Sequence, residues 1–304
     1  LKDMRRKACP SQIAVLAAVV LAVVQTMVCG GANAQRPACA MREYGWTERR
    51  DASLMMERAT ARRSQFGTFR LFQGQDFDAR INVRFHIIVG NGAQGRVSES
   101  TVQRQFDVLR RNFALRDADT GFSFSLAQIR YVTNDVWFRN CHLQQYAGEI
   151  KQSLVTEPET SLNVIVCGPT ANILGFATFP SDYPESSSMH AVVINYQTMP
   201  GVALPQSSPF AEFALGVTLV HETGHFFGLA HTFNSNSCGS DNDGIDDTPI
   251  ERSPAAGCPV NPPRDSCPSQ PGVDPVRNFM DYSDDACMTD GFTPQQLDLM
   301  REQT

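Results

Sequence analysis

No stretch limits the fold of this chain more than His221-Glu222-Thr223-Gly224-His225-Phe226-Phe227-Gly228-Leu229-Ala230-His231. Imidazoles four residues apart fall on one face of a helix, close enough to share a single ion. Gly228 can take a positive φ without steric cost, which ends the helix and lets His231 swing back to the same point. Helix, abrupt stop and return are therefore all demanded by eleven residues. A catalytic zinc ion takes three protein ligands and keeps one position open, and His221, His225 and His231 supply the three. Glu222 lies about 100° around the helix from His221, so it can face a metal-bound water without ligating the metal. Zinc lowers the pKa of that water from 15.7 towards roughly 7, and a carboxylate in this place can take the proton and later return it to a leaving amine.

The rest of the chain reads in three textures. Residues 35–80 are arginine-rich, with little strand pattern, and read as a removable pro-segment or a plain N-terminal arm. From Ile81 the pattern becomes α/β: strands over 81–89, 122–132, 162–166 and 191–195, and helices over 98–115, 146–154 and 212–228. One mixed, twisted sheet backed by helices is expected. After Gly228 the sequence turns rich in Gly, Pro and Asp and holds four cysteines between Cys238 and Cys287, a region that needs staples rather than a core. Thr293 followed by Pro294 marks the start of a last helix.

At the N-terminus, Arg5, Arg6 and Lys7, the apolar run 13–24 and Ala32-Asn33-Ala34 read as an export signal over residues 1–34, making the protein secreted and extracellular. A retained signal anchor is the alternative, but twelve apolar residues are short for a span, and no stable membrane span is expected elsewhere. Without the signal, seven of nine cysteines remain, and an odd number in an oxidising compartment leaves one to explain. The formal charge of -6, scattered over both halves, offers no basic stripe and excludes a nucleic-acid footprint. His86, His142 and His190, in strand or loop contexts, read as structural histidines.

The zinc-binding signature resembles that of the metzincin metallopeptidases, and Asn278-Phe279-Met280-Asp281-Tyr282 resembles their Met-turn. The flanks Gly228-Leu229-Ala230-His231-Thr232-Phe233 and Asp246-Asp247-Thr248-Pro249 narrow the resemblance to the pappalysin family, above all its small secreted microbial, ulilysin-like members, over residues 81–304. The resemblance implies an α/β (α+β) catalytic domain over 81–304, with an upper lobe to Gly228 and a disulfide-stapled lower lobe over 229–304. It further implies a zinc endopeptidase acting on protein or peptide substrates, Met280 as the floor of the metal site, and Tyr282 as a hydroxyl beside the zinc that binds the oxyanion. It implies the bridges Cys238–Cys267 and Cys258–Cys287, where four cysteines alone allow three connectivities. Cys141 and Cys167 are then left for a third bridge that their spacing does not indicate.

Cys39, left over, is a candidate zinc ligand of a latent zymogen, against a stray or intermolecular cysteine, and Arg36-Pro37-Ala38-Cys39-Ala40 lacks the Cys-Gly pattern of such switches. Asp243, Asp247 and Thr248 in an acidic loop are candidate calcium ligands, against a merely solvated turn. Asp284 and Asp285 are candidates for the wall of a pocket that takes Arg or Lys after the cut, against merely solvated aspartates. Two rival readings are a zinc hydrolase of small amides and a silent scaffold. The third histidine and the Met-turn argue against the first, and the intact Glu222 and ligand set against the second.

Overall fold

The computed structural model describes residues 77–114, 120–233, 236–239 and 243–304. The expected signal segment, the pro-segment up to residue 76, and Cys39 lie outside them. A strand β1 (Ala79–Val89) begins shortly before the expected boundary at Ile81, and the Phe77 ring packs edge-on to Phe122 at 5.1 Å. The sheet therefore reaches back into the stretch read from sequence as pro-segment.

Ser98 caps a helix α1 (Glu99–Phe113) by accepting the Thr101 N–H, and Val102, Phe106, Leu109 and Phe113 give it one continuous apolar face. Strand β2 (Phe122–Thr133) follows. Asn134 then caps a helix α2 (Asp135–Asn140), which the sequence reading missed because six residues carry too little periodicity. Helix α3 (Gln144–Leu154), strands β3 (Ser161–Cys167), β4 (Gly175–Ala177) and β5 (Val192–Asn195) complete the sheet. The strand order is β2-β1-β3-β5-β4, parallel throughout except for β4, which runs antiparallel to β5 at the end of the sheet.

β1 sends Val83, Phe85 and Ile87 to the face covered by α1, while Ile88 joins Ile165 and Val193 on the face covered by α2 and α3. β3 is buried along its whole length, as expected of a central strand in a parallel sheet covered on both faces. Cys141 and Cys167 are bonded, tying the end of α2 to the end of β3.

Helix α4 (Val217–Phe226) carries the histidines and is shorter than the expected 212–228. Gly216 at φ 91° breaks the helical path, and residues 211–213 form a separate single turn. Beyond α4 the described chain holds isolated bridges only until α5 (Pro294–Glu302), whose start is a reciprocal capping box between Thr293 and Gln296. The bridges Cys238–Cys267 and Cys258–Cys287 staple this region. Phe279, Met280, Met288 and Met300 nevertheless join the same apolar core as α1 and β1, so the two lobes share one interior. Among the described residues no helix is long and apolar enough to cross a membrane.

Candidate metal centre and active site

One turn of α4 separates His221 from His225, and the chain leaves the helix at Gly228, φ 97°, where the Leu229 N–H returns to the Gly224 carbonyl at 2.9 Å. That turn brings His231 back. The three Nε2 atoms lie 3.0–3.1 Å from one another, and all three side chains are buried. His221 donates its Nδ1–H to the Phe279 carbonyl at 2.6 Å, and His225 donates its Nδ1–H to the Leu229 carbonyl at 2.7 Å. With those protons facing outward, the Nε2 lone pairs of His221 and His225 converge on a common point that calls for a cation. Tetrahedral zinc with Zn–N of about 2.0–2.1 Å sets its nitrogens roughly 3.3 Å apart, close to the spacing seen. Burial, with His231 alongside, pushes His221 down to about pKa 3 against the pull of its bond to Phe279, so the ring is neutral at physiological pH, as a metal ligand must be. Among the described residues this is the one cluster of His, Cys, Asp or Glu able to hold a metal ion.

Glu222 is fully buried, and its side chain extends to β4. A Cβ on Gly175 would stand 2.9 Å from Glu222 Oε1 and 2.8 Å from the Val193 carbonyl, so only glycine leaves room for this carboxylate beside the sheet. Gly224 plays the matching part below the helix, where a Cβ would lie 2.6 Å from Met280 Sδ. Met280, fully buried, thus packs directly under the turn between the first two histidines.

Tyr282 is half-buried, with its ring 4.8 Å from that of His231 and 5.9 Å from that of His221. Phe233 stacks on His231 at 4.9 Å and 8°, and Phe179 packs on His225 at 5.3 Å. Gly175 and Phe179 escaped the sequence reading because a three-residue strand and the loop after it give no pattern to count.

Two of the acidic candidates bond to the starts of helices. Asp285 accepts from the N–H groups of Leu215 at 2.9 Å and Val217 at 3.3 Å and is 5% exposed, so it seats the start of α4. Burial pushes it up to about 7 while these N–H groups hold it down. Asp247 accepts from Thr293 Oγ1 at 2.6 Å and the Gln295 N–H at 3.0 Å, at the start of α5. Asp284 is half-buried near Gly257, and Asp243 receives the Thr248 hydroxyl, which also lies 2.9 Å from the Ile245 carbonyl. His86 contacts Asn163 Oδ1 at 2.9 Å and His190 the Tyr183 carbonyl at 2.8 Å, away from the metal cluster, and His142 is buried.

The model of the family described as pregnancy-associated plasma protein-A, Peptidase M43, matches residues 158–304. An extracellular metalloprotease of Arthroderma benhamiae is 38% identical over 226 residues, covering 73% of this chain and 70% of that protein. The chain belongs to the pappalysin family. A second relative, the extracellular metalloprotease of Pyricularia oryzae, is 34% identical over 252 residues and covers 81% of each chain. The pappalysin fold is also that of mature mirolysin from Tannerella forsythia, solved with a cleaved peptide: TM-score 0.61, 24% identity, 75% of this chain and 92% of that one. A mutant promirolysin of the same organism matches with TM-score 0.65 at 21% identity, over 86% of this chain and 89% of that one. This pappalysin is an extracellular zinc metalloendopeptidase.

Proposed function

We propose that His221, His225 and His231 hold one zinc ion through Nε2 and that Glu222 acts as the general base in the cleavage of internal peptide bonds of proteins. The convergence of three buried Nε2 atoms within 3.1 Å carries this reading. Zinc, when bound, supplies a Lewis acid that polarises a carbonyl and acidifies water. Glu222 takes a proton at its carboxylate from the attacking water and delivers it to the amine that leaves. β4, at the end of the sheet, offers main-chain groups with which an extended peptide can pair across the cleft. Tyr282, beside His231, presents its hydroxyl to the developing oxyanion. Asp284 and Asp285 are the candidates for selecting Arg or Lys after the cut.

In this reading the protein is made as a latent precursor, with Cys39 of the pro-segment as the thiolate that blocks the metal. Asp243, Asp247 and Thr248, with the Ile245 carbonyl beside Thr248, form the candidate set for calcium. Both points have direct checks: Cys39→Ala should give a precursor active without processing, and calcium should raise the melting temperature in wild type and not in Asp243→Ala. The central reading is tested by chelation. Removing metal should abolish casein cleavage, stoichiometric zinc should restore it, and restoration should fail in His225→Ala. Casein cleavage that survives full demetallation would end the proposal.

A further inference from the structure

We infer that Gln296, in the first turn of α5 and 65 residues past the last metal-binding histidine, is a positioning residue for His221. The connection runs through a single peptide group. The Phe279 carbonyl that receives His221 Nδ1–H at 2.6 Å and the Met280 N–H are two ends of one planar unit. Asn278 Oδ1 accepts that N–H at 2.9 Å, so rotation of the Asn278 amide would turn an NH2 group against it and tilt the whole unit. Gln296 prevents the rotation. Its Oε1 accepts from Asn278 Nδ2 at 2.8 Å and its Nε2 donates to Asn278 Oδ1 at 3.2 Å, a reciprocal amide pair in which both side chains are buried. Oε1 also accepts the Thr293 N–H at 2.9 Å, which anchors the pair to the start of the helix.

A helix cap alone does not require glutamine here. Glu serves a capping box as well as Gln, because the cap uses only an acceptor. The second bond, to Asn278 Oδ1, needs a donor, and an ionised carboxylate has none. Gln296 thus fixes the Asn278 amide, the amide fixes the 279–280 peptide plane, and the plane fixes the proton on Nδ1 of His221, leaving Nε2 free for metal. Outer partners of this kind tune both the orientation of a ligating imidazole and its basicity.

The inference rests on His221 being a metal ligand, and the experiment separates the two claims. Zinc affinity of the full secreted chain is measured by competition with a chromogenic chelator, well below the melting temperature, for wild type, Gln296→Glu, Gln296→Met, Arg301→Ala and His221→Ala. Both Gln296 variants should bind zinc about tenfold more weakly. In the processed enzyme kcat should fall, with KM changed by less than about twofold, as loss of an interaction made to the metal ligand rather than to substrate requires. Arg301→Ala, on the same helix, removes that residue's bonds to Asp298 and to the Thr120 carbonyl just before β2 without touching Asn278, so it should lower the melting temperature and leave zinc affinity unchanged. If His221→Ala keeps wild-type affinity, the ligand assignment falls and this inference with it. If His221→Ala loses zinc while Gln296→Glu and Gln296→Met bind within about twofold of wild type, only the inference falls. It falls also if Arg301→Ala weakens zinc as much as they do. Gln296→Met provides the same reading should Gln296→Glu fail to fold.

Discussion

Residues 79–195 and residues 229–304 reach order by different physics, and the metal centre lies where they meet. The first region is a sheet with apolar side chains on both faces: Val83, Phe85 and Ile87 towards α1, Ile88, Ile165 and Val193 towards α2 and α3. The second has little regular structure and is held by two disulfides and by buried polar groups. Its centre is Arg264, which pairs with Glu251 at 2.6 Å and with Asp274, and donates to the Ser253 carbonyl at 2.8 Å. Glu251 accepts the Thr232 hydroxyl at 2.8 Å, next to His231, and Asp281, next to Met280, accepts the Ala255 N–H at 3.0 Å. One guanidinium thus faces three buried carboxylates between the two strands of chain that carry the third histidine and the Met-turn. Hydrophobic burial is tolerant of small shifts, whereas hydrogen-bonded ion clusters fix direction. α4 gains its position from the first kind of order and His231 from the second.

The contrast can be broken most severely at Arg264. Arg264→Met leaves Glu251, Asp274 and Asp281 without their cation and should cost about 3–5 kcal/mol in urea unfolding. A cost below about 1 kcal/mol would mean that the cluster is not the centre of the lower region. Leu162→Ala, in fully buried β3, should cost about 2–5 kcal/mol while zinc affinity of the folded protein stays unchanged. Replacing Cys258 and Cys287 by serine should cost about 2–5 kcal/mol and, unlike Leu162→Ala, weaken zinc binding as well, because the bridge closes on the segment that follows the Met-turn. Equal effects of both on zinc would erase the distinction between the regions.

Acid–base behaviour sharpens the comparison further. Burial, with Asp281 and Asp274 close by, raises the Glu251 carboxyl above its ordinary 4.5. The folded state therefore keeps a proton that the unfolded chain gives up. Stability from this group is full below pH 4.5 and is lost as pH climbs through the folded value. Urea midpoints should fall from pH 5 to pH 9 in wild type, and the fall should be shallower in Glu251→Gln. The smallest effect belongs to the cap: Asp247→Ala should cost about 1 kcal/mol, seen as a lower melting temperature with zinc affinity intact.

The two regions also differed in how far they could be read in advance. Strands β1, β2, β3 and β5 and helices α1, α3 and α5 announced themselves through periodicity and caps, and the metal triad through its spacing, because each depends on neighbours within a few residues. α2 and β4 are too short to show a period, and the break at Gly216 appears only once a φ of 91° is known. In the lower region the decisive contacts join residues far apart. Nothing near Asp285 in the sequence says that its carboxylate accepts the Leu215 N–H 70 residues back, or near Asp247 that Thr293 stands beside it. The charges of Arg264, Glu251, Asp274 and Asp281 stand in the sequence without any sign that they share one buried site. Family resemblance carried what local pattern could not, notably the disulfide pairing and the neighbourhood of Tyr282.

The most direct test of the account compares processed wild type with Glu222→Gln for casein cleavage, with zinc content assayed in both. Loss of cleavage by a factor of at least about 100, with about one zinc per chain kept in each, is the predicted result, since the amide can ligate nothing new and cannot take a proton. A Glu222→Gln protein that retains its zinc and cuts casein at a rate near wild type would contradict the assignment of Glu222 as the base.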